Sequence, residues 1–138
     1  MSKRDKFHDI VKQALEREGW TITHDPYVFK TDPKLAADLG AERLMAAERG
    51  YERIVVEIKS FLNSSQVFDL EAAIGQYAVY QVFLQRKDPE RKLYLAVPHH
   101  ALDNILSREV GQTVIEALKI NLVVYSLAEE QPLLWKPQ

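Results

Sequence analysis

Hydrophobic positions along this chain change their period several times, and each change marks an element. Phe7, Ile10, Val11, Ala14 and Leu15 recur three and four residues apart, the stripe of an amphipathic helix. Ser2-Lys3-Arg4-Asp5 has the spacing of a capping box, with Asp in place of the usual Glu, and Gly19 supplies a stop. Trp20 to Thr23 reads as a short strand ended by Asp25-Pro26. Residues Tyr27 to Leu35, with Pro33, are expected to form an irregular approach to the next strand.

Between Ala36 and Phe61 the pattern predicts two long strands joined by a turn at Arg49-Gly50-Tyr51-Glu52, although Ala41 to Glu48 also suits a helix. The second strand, Ile54 to Lys59, is β-branched and apolar enough to be covered on both faces. A helix is predicted from Gln66 to Gln85, ending before Asp88-Pro89, and a buried strand from Leu93 to Val97, stopped by Pro98. Leu106, Val110, Val114, Ala117 and Leu118 mark a further helix, Asn121 to Tyr125 a strand, and Pro132 to Trp135 a short edge strand. The core order is αβββαβαβ in a single domain spanning 1–138. Its last strand-helix-strand unit is long enough for a parallel crossover. A central mixed β-sheet flanked by helices on both faces is the expected α/β outcome.

Composition narrows the class. The chain has 138 residues, of which 46% are hydrophobic and 28% charged, a globular balance that argues against disorder. No apolar run approaches the roughly 20 residues needed to cross a bilayer. The charged start leads into no signal-peptide core, and with no cysteine neither disulfides nor thiolate metal sites can form. A soluble, cytoplasmic protein with no membrane partner is expected. The formal net charge of −2 excludes a protein that coats nucleic acid through bulk charge, so any nucleic-acid role must come from a site.

Glu57 and Lys59 break the apolar pattern. Two residues apart in a strand, they point to the same face, roughly 7 Å apart. Buried charges need partners, a metal or an open cleft; the alternative is an edge strand with a solvated face. If the predicted turn closes a regular hairpin, Glu57 faces Leu44, Lys59 faces Glu42, and parity puts Asp38, Glu42, Glu57 and Lys59 on one face. In that register Asp38 lies too far along the strand to share a metal with Glu57 unless the chain bends near Gly40; otherwise Glu42 is the better second carboxylate. Two carboxylates and the Ile58 carbonyl would make a hard-oxygen site for Mg2+ or Mn2+, with Lys59 placed to orient water or neutralise developing charge.

The set Asp38…Glu57-Ile58-Lys59 on a hairpin, followed by a helix, resembles the PD-(D/E)XK nuclease superfamily, with Ala37-Asp38 in place of Pro-Asp. Gln76 and Tyr80, on one helical face, resemble the Gln-x-x-x-Tyr element of RecB-like members, which faces the active site and the nucleic-acid backbone. Glu16 on the first helix is a weaker carboxylate candidate, and His24 a weaker turn or cleft-rim candidate. A resemblance over nearly the whole chain is carried by Phe7-His8, Gly19 to Pro26, Asp38 to Glu42, Val56 to Phe61 and Tyr94 to Pro98. It is to the XisH family, the fdxN-element excision-controlling proteins of cyanobacteria. The resemblance implies the restriction endonuclease-like fold and a role in programmed excision of a DNA element. It also implies the company of a site-specific recombinase and a small XisI-like companion. It does not by itself imply that members cut DNA.

Three functions follow from these readings: a Mg2+-dependent DNA endonuclease acting in excision, a non-catalytic protein that binds the companion or DNA, and a structural subunit whose charges form internal ion pairs. A homodimer continuing the apolar strand faces is compatible with all three.

Overall fold

The computed structural model of the chain describes residues 3–44, 51–128 and 131–137. Helix α1 (Lys3–Arg17) comes first and buries Phe7, Val11, Ala14 and Leu15, the stripe set by sequence periodicity. Ser2, the cap of the expected capping box, lies outside the described residues. Strands β1 (Thr21–His24), β2 (Tyr27–Phe29), β3 (Leu35–Ala37), β4 (Leu39–Leu44) and β5 (Tyr51–Ile58) follow. Then come α2 (Gln66–Lys87), β6 (Lys92–Pro98), α3 (His99–Asp103), a 3-10 turn (Ile105–Ser107), α4 (Glu109–Ala117), β7 (Leu122–Tyr125) and β8 (Leu134–Lys136).

Six strands form one sheet in the order β1-β4-β5-β6-β7-β8. The β5–β6 and β6–β7 neighbours are parallel and the rest antiparallel, so the expected mixed sheet and parallel crossover are present. Strand alternation divides the core. Ile54, Val56, Tyr94, Ala96, Val123 and Tyr125 pack with α1. Val55, Leu93, Leu95, Val97, Leu122 and Val124 pack on the other face with Leu70, Ala73, Tyr77, Tyr80 and Leu84 of α2. Helix α2 starts where Ser65 caps it, its Oγ accepting from Phe68 N–H at 3.2 Å. Among the described residues, no helix is long and apolar enough to cross a membrane.

Three expectations are corrected. The segment Tyr27 to Leu35 is irregular only at residues 30–34: β2 and β3 on either side pair as a separate antiparallel ribbon, Tyr27 opposite Ala37, held by Phe29 stacking on Tyr80 at 5.3 Å. The predicted last helix is broken, because Leu106 belongs to the 3-10 turn and Gly111 packs directly on it; a Cβ at Gly111 would lie 2.1 Å from the Ile105 carbonyl oxygen. The third correction is the hairpin register. Leu44 opposes Tyr51, not Glu57, and Leu39 opposes Val56. The strand therefore turns earlier than Arg49-Gly50-Tyr51-Glu52; Arg49 and Gly50 lie outside the described residues, whereas Tyr51 and Glu52 are already paired in β5.

Candidate functional site

The corrected register brings the site together. Continuing the ladder one step beyond Leu39–Val56 places Asp38 across from Glu57, so no bend at Gly40 is needed. The register irregularity near Gly40 lies instead between β1 and β4, between Ile22 and His24. Gly40 serves close approach there, since a Cβ would meet His24 Nδ1 and Tyr27 Cδ2 at 3.0 Å. Glu42 sits four residues further along β4, opposite Arg53, roughly 13 Å up the strand. The backbone register thus removes Glu42 from the site and keeps Asp38 in it.

Asp38 closes the ladder with its side chain. Ile58 N–H donates to Asp38 Oδ2 at 2.7 Å, taking the place of the next backbone rung. In a strand the N–H and C=O of one residue face the same edge, so the Ile58 carbonyl also faces the Asp38 side. Glu57 is 6% exposed. Lys59 Nζ lies 3.4 Å from Glu57 Oε2, with the lysine side chain 24% exposed. The lysine backbone is fixed from two sides. Its N–H donates to Ala96 O at 2.9 Å, and the buried Tyr125 hydroxyl donates to its carbonyl at 2.8 Å.

Burial pushes the Glu57 carboxyl up from 4.5 to about 8; the charge of Asp38 adds to the rise, as does a hydrogen bond between the two acids, while Lys59 opposes it. Burial, with a smaller contribution from Asp38, also raises Tyr125. Glu57 therefore retains its proton at neutral pH when no metal is bound.

Asp38, Glu57, Ile58 and Lys59 line a cleft of about 530 Å3, together with Phe7 and His8 of α1, Pro26, Ala36, Ala37, Ser60, Gln76 and Tyr80. Lys59 is thus at a cleft wall, not sealed under packed side chains. Of the two helix residues, Gln76 is exposed at the cleft. Tyr80 is buried, and its hydroxyl donates to Ala36 O at 3.2 Å. Its visible work is to dock α2 on the β3 backbone beside Asp38.

Two weaker candidates do not join. Glu16 is exposed on α1, near Lys12, and His24 is exposed with its ring edge-on to Tyr27 at 5.0 Å; neither lines the cleft. His8 does line it. His8 Nε2 and Lys12 Nζ both hold Asp25, at 2.8 and 2.9 Å. Burial would raise the Asp25 carboxyl, but the hydrogen bonds and charges of Lys12 and His8 together outweigh it and hold it below the usual range. The signal available beforehand was the i, i+4 spacing of His8 and Lys12 on one helical face. Tyr125 gave no such signal, because a tyrosine ending a buried strand reads as core.

Two carboxylates and a strand carbonyl form an all-oxygen donor set that fits a hard cation. Among the described residues no three His, Cys, Asp or Glu side chains converge as a metal cluster. A cation held by Asp38, Glu57 and Ile58 would therefore complete its shell with water and substrate oxygens, as Mg2+ commonly does.

Comparison with known proteins agrees with this architecture. The XisH protein family model matches residues 1–132. An XisH family protein from Nostoc punctiforme PCC 73102 is similar in structure at a TM-score of 0.82, with 35% identity over 95% of this chain and 98% of that one. An fdxN element excision controlling factor protein from Anabaena variabilis also reaches a TM-score of 0.82, with 32% identity over 96% of this chain and 98% of its own. No curated protein matches the chain. A match across nearly the whole length, in both sequence and structure, means that the chain belongs to the XisH family.

Proposed function

We propose that this protein acts in the excision of a DNA element through a divalent-cation-dependent phosphodiester site of the PD-(D/E)XK type. The observation that carries the reading is buried Glu57 beside half-buried Asp38, with Lys59 next to them, at the wall of an open cleft. Holding a buried acid against a second carboxylate is unfavourable without a cation or a proton there, and the cleft gives both a cation and a phosphate access. The role of the Anabaena variabilis relative, control of fdxN element excision, supplies the biological setting.

Bound at Asp38, Glu57 and the Ile58 carbonyl, Mg2+ or Mn2+ would supply charge to a phosphodiester oxygen and lower the pKa of a water. Lys59, its backbone pinned by Tyr125 and Ala96, would orient the attacking water or neutralise charge growing on phosphorus. Gln76 would contact the nucleic-acid backbone from α2. A XisI-like companion and a recombinase are the partners this role calls for.

A second reading, binding without cutting, is favoured by charge. The net charge is −2, and among the described residues lining the cleft Lys59 is the one Lys or Arg. Incubation with supercoiled, linear and branched DNA, with Mg2+ or Mn2+ and with or without the companion, separates the two. Metal-dependent cleavage abolished by both Glu57→Ala and Lys59→Ala is expected. Cleavage persisting in either variant assigns the activity elsewhere. DNA or companion binding with no cleavage under any condition leaves the second reading standing.

A further inference from the structure

Helix α2 has two apolar faces, and the fold covers one. Leu70, Ala73, Tyr77, Tyr80 and Leu84 are buried. On the opposite side Phe68, Ala72, Gly75, Val79, Val82 and Arg86 follow one another in alternating steps of four and three, the a/d seam of a coiled coil. Phe68 is 58% exposed, Val79 45% and Val82 53%, and Ala72 and Gly75 are exposed as well. From Ala72 to Gln85 no residue is charged, although a solvated helix face ordinarily carries charge. None of this serves the cleft, which the helix borders through Gln76 and Tyr80.

We infer that this seam is a homodimer interface, in which α2 packs antiparallel against α2 of a second copy. Two properties of the helix select that occupant. Its charges are polarised: Asp69 lies in the first turn, Glu71 just beyond it, and Arg86 and Lys87 in the last turn. Parallel pairing would set like charges side by side, whereas antiparallel pairing sets each acidic end beside a basic one. The seam is also complementary to itself in shape. In the antiparallel a-to-d register, Val79 meets Gly75 of the second copy, Val82 meets Ala72, and Phe68 meets Arg86, an aromatic face against a guanidinium. Every bulky residue thus finds a small or complementary one. The space above Gly75 is open, since a Cβ there would meet nothing within 4 Å. The same patch serves both copies, as a two-fold interface requires. This places the interface on a helix, not on the strand faces the apolar pattern pointed to.

The seam is roughly 27 Å long at about 1.5 Å per residue, the small end of the interface scale, so the dimer is reversible and concentration-dependent. Sedimentation of the full-length protein across micromolar to millimolar concentration is expected to show monomer passing to dimer, and Val79→Glu is expected to hold it monomeric. Glu71→Arg and Arg86→Glu should each weaken self-association about tenfold or more, while an equimolar mixture of the two variants should recover a heterodimer. Because the chain has no cysteine, single cysteines report the register. Ala78→Cys, beside the two-fold axis, should cross-link on oxidation and Ala72→Cys should not. Monomer at every concentration, no recovery on mixing, or equal cross-linking at positions 72 and 78 would overturn the proposal.

Discussion

Replacing Glu57 by Gln is expected to stabilise the metal-free protein and to flatten the dependence of its stability on pH. The folded-state carboxyl is raised from 4.5 to about 8, chiefly by burial. Between those two values the folded chain keeps a proton that the unfolded chain has released, so stability falls as pH rises. Below the unfolded value both states are protonated and the penalty vanishes. Above the folded value both are ionised and it is fully present. At about 1.4 kcal/mol per pH unit the interval corresponds to on the order of 5 kcal/mol. Water in the cleft screens part of this, leaving a loss of about 2–4 kcal/mol between pH 5.5 and 8.5, or about 10 °C in Tm. The glutamine side chain has the same shape and never ionises. Thermal and urea unfolding of both proteins with EDTA, at intervals from pH 5.5 to 8.5, isolates position 57 as the difference between two curves. Curves that run parallel, or a wild type that gains stability relative to the variant as pH rises, would refute the assignment of an uncompensated acid to this position.

The same proton predicts linkage to metal. Mn2+ binding should release a proton, and apparent affinity should rise about tenfold per pH unit below about pH 8; calorimetry in buffers of different ionisation enthalpy measures both. Gln76→Ala should slow cleavage and leave Tm unchanged, whereas Tyr80→Phe, losing its bond to Ala36 O, should lower stability by about 1 kcal/mol; paired melts and rate assays distinguish a substrate contact from a docking residue. Arg91→Met should destabilise by about 3 kcal/mol in urea titrations. Arg91 is buried, bonds Asp88 and the Ile54 carbonyl at 2.9 and 3.0 Å, and lies over the Tyr27 ring at 5.3 Å.

Much of this was legible in the sequence, and the failures have physical causes. The β5 and α2 segments declared themselves through apolar runs and through the same-face spacing of Glu57 and Lys59. The hairpin register did not, because register depends on where the turn falls, and residues 45–50 carry no Asn-Gly or Asp-Gly signal. Leu44 meets Tyr51 where Glu57 was expected. That displacement is an even number of residues, so side-chain parity survived it. The face was right while the partner along the strand was wrong, which is why Asp38 and Glu42 could not be separated beforehand. Arg91 gave no signal of burial, because arginine is ordinarily an exposed residue. The β2–β3 ribbon was hidden because three-residue strands carry too few alternations to show a period.

One contact that joins the end of α1 to the last strand bears on how the chain assembles. Just after α1, Glu18 accepts Leu133 N–H at 2.7 Å and the Trp135 indole N–H at 3.2 Å, bridging 115 and 117 residues. A clasp of such long sequence separation pays its loop-closure entropy only after the intervening sheet has drawn its ends together. Glu18 is therefore a late-forming fastening: Glu18→Ala should leave the refolding rate nearly unchanged and hasten unfolding, so that the clasp governs how long the native state survives and not how quickly it is reached.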